Sequence, residues 1–244
     1  MKLITKCILI GLIISLCSAC NTLQKTDDTQ RQISSDPMEG FNRGVYSFNN
    51  TADKYVLRPV AKAYDYTLPK PVKTGVRNFF SNLGEPLNTL NNLLQGKFDR
   101  ALTSTYRFTV NSTVGLLGLI DVAKKLDVEP AREDFGQTLA AWGAGPGPYI
   151  MLPFLGPTNL RDGVGRITDT AILYPINELT DSSGGRTGLV FLDVVSTRAQ
   201  LLGTDSLLDS QLDPYAFLKQ AFEQNRINAL YDGDPPELEE DFDF

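Results

Sequence analysis

The amino-acid sequence predicts an all-α protein that contains one irregular apolar band. Three observations support this prediction. Apolar residues recur at helical spacing through most of the chain after residue 35, two Asp-Pro pairs stand at helix starts, and no run alternates as a strand does. The exception is residues 135–160, which carry no charge and contain the run Gly-Ala-Gly-Pro-Gly-Pro at 143–148, a pattern incompatible with a regular helix.

The chain begins with a segment typical of a bacterial lipoprotein signal. Residues 1–19 have a basic start, an apolar core and the small pair Ser18-Ala19, and a cysteine follows directly. We predict that residues 1–19 are removed and that Cys20 is lipidated. An ordinary cleaved signal is the alternative; an uncleaved span is disfavoured because the apolar core is shorter than about 20 residues.

A lipidated Cys20 predicts a membrane address. Two acyl chains hold a protein stably on a bilayer, and Asn21 stands where Asp would favour retention at the inner membrane. We therefore expect the mature chain to be anchored on the periplasmic side of an outer membrane. The other two cysteines lie in the signal, so no disulfide is expected. The remaining length of about 225 residues suits one domain.

The charge distribution argues against nucleic acid as a partner. The formal net charge is −6, and residues 232–244 hold seven acidic side chains and no basic one. The body before them is nearly neutral, so neither part offers the basic surface that nucleic acid requires. We predict an acidic disordered tail at 232–244, with a docking role as the alternative, and a flexible polar tether at 20–35.

Helices account for most of residues 36–231. Asp36-Pro37 followed by Glu39 predicts a capped helix start, and Asp213-Pro214 repeats it before a last helix that reaches residue 231. Thr158 or Asn159 is expected to cap another. The remaining predicted helices cover 54–66, with a kink near Pro59, then 69–83, 87–94, 97–114 and 186–202.

Two of these helices have unusual polar faces. The helix at 69–83 carries a basic stripe opposite its apolar one, which indicates either an ordinary core helix or contact with anionic headgroups. After the Gly84-Glu85-Pro86 interruption, the next helix carries an amide face without charge. Such a face suits a protein interior or a headgroup passage, although a solvated surface explains it equally. The two faces consist of Lys70, Lys73 and Arg77, and of Asn88, Asn91, Asn92 and Gln95.

Two charge-free segments indicate apolar surroundings. Residues 108–120 would give about 20 Å of helix, which is shorter than the ~30 Å of a bilayer core but long enough for one leaflet. A buried core helix is the alternative, and Gly115 and Gly118 predict a bend. Residues 135–160 must be covered by the protein or lie at a membrane interface.

The residues needed for most enzyme chemistry are missing from the sequence. The chain has no histidine, which removes histidine metal sites and Ser-His-Asp triads. No cysteine follows Cys20 as a nucleophile, no Ser-x-x-Lys pattern occurs, and the Gly-rich run lacks the Gly-Lys-Ser/Thr of a phosphate-binding loop. We expect no enzymatic activity and no cofactor or metal.

Short motifs in a fixed order resemble the MlaA (VacJ) family of outer-membrane lipoproteins. They run from residue 36 to residue 231 and include DPMEGFNR (36–43), NFFSNL (78–83), NLLQG (92–96), DFGQTL (134–139), GPYIMLP (147–153), RDG (161–163), RAQLL (198–202) and DPY (213–215). The resemblance implies a ring-like helical body with a central amphipathic channel, lying in the inner leaflet of the outer membrane beside a porin trimer.

The function that this resemblance implies is lipid transport. Phospholipids misplaced in the outer leaflet would pass through the channel to the soluble periplasmic carrier MlaC and return to the inner membrane, which maintains lipid asymmetry. A structural porin-associated lipoprotein without transport activity is the alternative.

The resemblance also implies roles for individual residues. It places the channel mouth at Asp162, Asp169 and Arg198, and a gate in residues 115–132, hinged at Gly115 and Gly118. The lipid lane would be bordered by the amides Asn42, Asn49 and Asn50 of the first helix, together with Asn88 and Asn92 of the amide face.

Overall fold

The computed structural model describes residues 35–170, 179 and 182–236. The predicted signal, the lipidation site Cys20, nearly all of the tether and the end of the acidic tail lie outside these residues. The α-helices are α1 (Glu39–Ala52), α2 (Arg58–Thr67), α3 (Lys70–Leu94), α4 (Phe98–Thr113), α5 (Val122–Lys125), α6 (Phe135–Ala141), α7 (Leu160–Thr168), α8 (Ser183–Gln200), α9 (Asp205–Asp209) and α10 (Pro214–Leu230).

The prediction of an all-α fold is confirmed. The one sheet among the described residues is an antiparallel hairpin of β1 (Tyr149–Leu152) and β2 (Gly156–Asn159), in which Tyr149 pairs with Asn159 and Leu152 with Gly156. This hairpin, together with α6, lies in the charge-free segment 135–160, which is therefore more regular than its composition indicates. No helix in the described ranges is both long enough and apolar enough to cross a membrane.

The kink predicted at Pro59 takes the form of a π-helical turn. Residues Asp53–Leu57 join α1 to α2, and Pro59 follows at the start of α2. Proline lacks an N–H group and its ring crowds the carbonyl four residues earlier. A local widening of the helix removes that contact, so the chain continues to Thr67.

The two Asp-Pro helix starts have different outcomes. Asp213 caps α10 as predicted, since its carboxylate accepts a hydrogen bond from the Ala216 N–H at 3.1 Å. The prediction for Asp36 was wrong, because α1 begins at Glu39 without a side-chain cap. The Asp36 carboxylate instead accepts hydrogen bonds from distant partners, the Asn42 amide at 2.8 Å and the Tyr215 hydroxyl at 2.5 Å.

The predicted interruption at Gly84-Glu85-Pro86 is absent. α3 runs through all three residues for 25 residues in total. An internal proline destabilises a helix by ~3 kcal/mol relative to alanine. The neighbouring Glu85 is buried, and its carboxylate accepts a hydrogen bond from the Arg107 Nε of α4 at 2.8 Å. α3 and α4 thus form a cross-linked antiparallel pair joined by a turn at Gly96.

The bend predicted at Gly115 and Gly118 is confirmed, and the helix through residues 108–120 does not form. α4 ends at Thr113, and Gly118 has φ +88°. The turn is tightly packed, since a Cβ added to Gly118 would lie 2.6 Å from the Asn82 Cβ. Gly118 N–H also donates to the Asn111 carbonyl at 2.8 Å.

The interior of the protein is polar. Among the described residues, eighteen polar or charged side chains are buried against ten apolar ones, four of them alanine. A small apolar core surrounds Tyr149, Met151 and Tyr215. Conversely, thirty-three large apolar side chains in the same ranges are exposed, for example Leu117 (73% exposed) and Phe154 (77%). This distribution inverts that of a soluble globular protein.

Candidate functional site: the cavity between α3 and α8

A cavity of about 390 Å³ lies between α3 and α8. A second one of about 230 Å³ adjoins it toward the start of α3 and shares Arg77, Ser196 and Gln200 with it. The first is lined by Arg77, Phe80, Ser81, Leu83, Gly84, Asn88, Arg132, Asp193, Ser196, Thr197 and Gln200. The second adds Tyr64, Asp65, Lys70, Lys73, Thr74 and Ala199. We call the two together the α3–α8 cavity.

The α3–α8 cavity is elongated along α3. Its larger part extends from Arg77 to Asn88, which is about 16 Å of helix at ~1.5 Å per residue. α8 runs antiparallel to α3, because Ala199 lies at the Lys70 end and Asp193 at the Asn88 end. The lining is amphipathic, since hydroxyl and amide groups alternate with the rings and methyl groups of Phe80 and Leu83.

The arginines of this cavity differ from the other arginines that the structure describes. The guanidinium groups of Arg77 and Arg132 make no hydrogen bond or ion pair with described residues. Lys73 at the neighbouring position of the basic stripe is already engaged, since its ammonium contacts the Asp65 carboxylate at 2.5 Å. The basic stripe of the sequence therefore faces the α3–α8 cavity, and two of its members, Lys70 and Arg77, have no side-chain hydrogen bond or ion pair with the described residues.

The amide face of α3 divides into two parts. Asn91 and Asn92 are fully buried, and the Asn92 amide donates to the Ala131 carbonyl at 3.1 Å. For these two the protein-interior interpretation is confirmed. Asn88 lines the cavity, where its side-chain Oδ1 atom accepts a hydrogen bond from the Glu133 N–H at 3.2 Å. A lipid-contacting role for Asn88 and Asn92 stays a prediction.

The amides of α1 lie away from this cavity and act on the hairpin. Asn42, fully buried, donates to the Tyr149 carbonyl at 3.1 Å and accepts the Met151 N–H at 2.9 Å. Asn49 donates to the Leu152 carbonyl at the end of β1 at 2.9 Å and accepts a hydrogen bond from the Phe154 N–H in the following turn at 2.8 Å. Asn50 is exposed. Their role along a lipid lane stays a prediction.

Asp162 and Asp169 belong to a buried charge cluster beside α10. The Arg226 Nη2 atom donates to Asp162 at 2.9 Å and to Asp134 at 2.8 Å. Asp169 accepts the Phe135 N–H at 3.0 Å, and a pocket of about 130 Å³ borders the group. Burial, with the Asp134 carboxylate nearby, raises the pKa of Asp169 to about 6. Burial also opposes ionisation of Asp134, but Arg226 outweighs it and lowers the pKa of Asp134.

Arg198 lies in a separate cluster. Its Nε and Nη2 atoms donate to Asp53 at 2.7 Å and 2.9 Å, and Nη2 also donates to Asp205 at 2.8 Å. This arrangement ties α8 to the π-helical turn between α1 and α2. The structure therefore does not bring Arg198 into contact with Asp162 or Asp169. The three residues predicted for the channel mouth are divided between two separate ion-pair clusters.

The predicted gate lies beside the beginning of α3. The turn at Gly115 and Gly118 contacts α3 through the Leu119 carbonyl, which accepts a hydrogen bond from the Asn78 amide at 3.2 Å. An opening movement of this segment stays a prediction. The first residue of the predicted acidic tail has fixed contacts as well, since Asp232 pairs with Lys97 at 2.8 Å and Arg100 at 3.1 Å.

Sequence reasoning missed the α8 side of the cavity and Arg132. The signal was present on α8, where Ser196, Thr197 and Gln200 form an uncharged polar face at i, i+1 and i+4. For Arg132 no local pattern exists, because it precedes α6 in a loop. No group of three His, Cys, Asp or Glu residues that could hold a metal occurs in the described part of the chain.

Residues 34–229 match the family model of the MlaA lipoprotein. The chain belongs to the MlaA lipoprotein family. A relative in Escherichia coli strain K12, named intermembrane phospholipid transport system lipoprotein MlaA, is 42% identical over 203 residues, covering 80% of this chain and 78% of the relative. A relative of the same name in Haemophilus influenzae is 36% identical and covers 94% and 92%.

A solved structure supports the same assignment. It comes from work on the structural basis for maintenance of bacterial outer membrane lipid asymmetry, and it has 40% sequence identity and a TM-score of 0.70 over 82% of this chain and all of its own. The resemblance drawn from the motifs is therefore confirmed. The named relatives of this MlaA family member are transport-system lipoproteins and are not named as enzymes.

Proposed function

We propose that this MlaA family member removes mislocalised phospholipids from the outer leaflet of the outer membrane through the α3–α8 cavity. It passes them to the periplasmic carrier MlaC for return to the inner membrane and so maintains lipid asymmetry. The observation that carries the proposal is the inverted distribution of side chains, with a polar interior and an apolar exterior.

The apolar exterior supports immersion in acyl chains. Phe98 and Leu102 on α4 and Leu155 at the tip of the hairpin are each at least 60% exposed. Apolar surface in water is unfavourable at about 25 cal/mol per Å², whereas in a bilayer the cost disappears. We place the body in one leaflet, the inner one, with a lipid anchor at Cys20.

The polar α3–α8 cavity supports passage of a headgroup. A zwitterionic or anionic headgroup cannot cross an apolar region without polar partners, and hydroxyl, amide and guanidinium groups supply them along the Arg77-to-Asn88 length. Phe80 and Leu83 give the acyl chains an apolar border. An outer-membrane porin trimer is the proposed neighbour that holds the body at its depth.

The test compares a bulky substitution inside the cavity with the same substitution on the exterior. Thr197 lines the cavity and Val194, on the same helix, is exposed outside its lining. In a strain that lacks its own MlaA-family lipoprotein, we expect Val194→Trp to restore low surface phospholipid and detergent resistance, and Thr197→Trp to fail. Both variants must be present at normal level in the outer membrane.

Equal complementation by the two variants would contradict transport through this cavity. The reverse result, in which Thr197→Trp complements and Val194→Trp fails, would favour the alternative function, a lipoprotein that only braces porins, for which exterior substitutions matter and cavity substitutions do not. Unchanged surface phospholipid in the strain without any copy of the gene would contradict both transport and asymmetry.

A further inference from the structure

We propose that Arg77 and Arg132 bind the phosphate of a phospholipid headgroup, so that the α3–α8 cavity selects glycerolipids that carry a phosphodiester over neutral ones. The inference rests on the proposed function and adds the residues that recognise the phosphate of its substrate.

The first argument is the pairing of arginines. Nine of the eleven arginines in the described ranges have a side-chain hydrogen bond, an ion pair or another contact of this kind. Arg77 and Arg132 are the two that have none with described residues, and both line the same cavity. A guanidinium is always charged and presents a planar fork of donors that matches a phosphate. Two guanidinium groups that line one cavity and have no partner among the described residues favour a phosphate ligand.

The second argument is position. Arg77 lies where the two parts of the cavity meet, and Asn88, which contacts the loop of Arg132 through Glu133, lies about 16 Å farther along α3. A moving headgroup therefore meets an arginine near each end of the larger part. Lys73 is engaged with Asp65, and Lys70, which has no partner among the described residues, lines only the second part of the cavity near the start of α3.

The third argument separates a lipid from a free phosphate ion. Phe80 and Leu83 line the same stretch as Arg77. Apolar side chains beside a guanidinium weaken a site for a fully hydrated ion, whereas they complement the glycerol and the first methylenes of a phospholipid. The shared chemistry is the phosphate group, and the lining favours the lipid as its source.

The experiment uses the full-length lipidated protein in detergent micelles and three probes. These are phosphatidylglycerol and diacylglycerol, each with one fluorescent acyl chain, and inorganic phosphate as a competitor. The variants are Arg77→Gln, Arg132→Gln and their combination. The matched control is Arg166→Gln, an exposed arginine outside the α3–α8 cavity that donates to the Leu155 carbonyl at 3.0 Å.

We expect the double variant to bind phosphatidylglycerol at least tenfold more weakly (~1.4 kcal/mol) and diacylglycerol as the unaltered protein does. Arg166→Gln should match the unaltered protein, and Arg77→Lys should recover part of the loss because it keeps the charge without the fork. Millimolar inorganic phosphate should not displace phosphatidylglycerol.

Three results would overturn the inference. They are unchanged binding of phosphatidylglycerol by the double variant, an equal loss of both lipids, and displacement of the lipid by inorganic phosphate at low concentration. Failure of the proposed function looks different. In that case the unaltered protein itself neither retains phosphatidylglycerol nor transfers it to acceptor vesicles, whereas failure of the inference alone leaves transfer intact in the double variant.

Discussion

Two sets of arginines in this protein perform opposite tasks. Arg107, between α3 and α4, is 1% exposed and fully engaged with Glu85, Asp121 and the Val128 carbonyl. Arg77, on the cavity side of the same α3, is exposed and has no partner among the described residues. Burial of a charge is costly unless it is paired, so the interior arginine must be neutralised by the fold. The cavity arginine keeps its water and remains available to a ligand.

The comparison teaches how a polar interior can be stable. The buried Glu85 and Arg107 and the half-buried Asp121 satisfy one another across two helices and a loop, and similar clusters surround Arg226 and Arg198. These clusters take the place of the apolar core that a soluble domain would have. Apolar side chains are thereby left for the exterior, where the proposed function uses them.

Loss of the interior arginine should have the largest effect. Arg107→Met leaves the Glu85 carboxylate buried and unpaired, which costs about 3–5 kcal/mol of unfolding free energy. The measurement is urea unfolding of the full-length protein in detergent, followed by circular dichroism. The double variant Glu85→Leu/Arg107→Met should recover most of the loss, since the buried carboxylate is removed and the half-buried Asp121 keeps its hydrogen bonds from the Asn111 amide and the Lys124 N–H. A cost below about 1 kcal/mol for the single variant would refute the role given to this pair.

Removal of a neutral buried side chain, Asn42, tests whether an uncharged interior group is also needed for stability. Asn42→Ala leaves the Tyr149 carbonyl and the Met151 N–H buried without partners, which should lower the unfolding free energy by about 3 kcal/mol. Asn50→Ala, on the exposed side of the same helix, is the matched control and should stay within about 0.5 kcal/mol. Equal losses in the two variants would show that α1 and not the Asn42 amide determines the effect.

The effect of burying the Asp169 carboxyl can be measured as a change of protein stability with pH. Its pKa is raised to about 6 in the folded protein, so between pH 4 and pH 6 the folded state holds a proton that the unfolded state has lost. Stability from this group is therefore present at pH 4 and decreases as the pH rises through 6, by about 2–3 kcal/mol.

The variant Asp169→Asn isolates that contribution. Unfolding measured across pH 4 to 7 should differ from the unaltered protein by this slope, while the neighbouring Asp134, whose pKa is lowered, contributes equally to both. Asp99→Asn, on the exposed start of α4, serves as the control. Identical pH profiles for the unaltered protein and Asp169→Asn would rule out a raised pKa at this site.

The cavity arginines should have the smallest effect on stability. Arg77→Gln and Arg132→Gln remove no hydrogen bond or ion pair to the described residues, so each should change the unfolding free energy by less than about 0.5 kcal/mol. Urea unfolding next to Arg107→Met measures this directly. A loss of about 2 kcal/mol or more in either variant would show that it has a structural partner and would remove the contrast with Arg107.

Several elements were predictable because their causes are local. The π-helical turn before Pro59, the bend at Gly118 and the cap of α10 by Asp213 follow from sterics and hydrogen bonds within a few residues. The basic stripe on α3 was likewise visible. The cap predicted at Asp36 failed because its carboxylate is used by Tyr215, which lies 179 residues away in the chain.

The sequence by itself determined the helical class, most helix positions and the family, since helical periodicity and short ordered motifs are properties of neighbouring residues. Only the tertiary structure decided which polar side chains are interior cross-links and which face the α3–α8 cavity. Asn42, Asn88 and Asn92 look alike in sequence. The partners of Asn42 lie on β1, and those of Asn88 and Asn92 lie in the loop before α6. Whether a side chain is buried and paired depends on segments that are distant in the chain. These two properties distinguish Arg107, which cross-links two helices, from Arg77, which is available to bind a ligand.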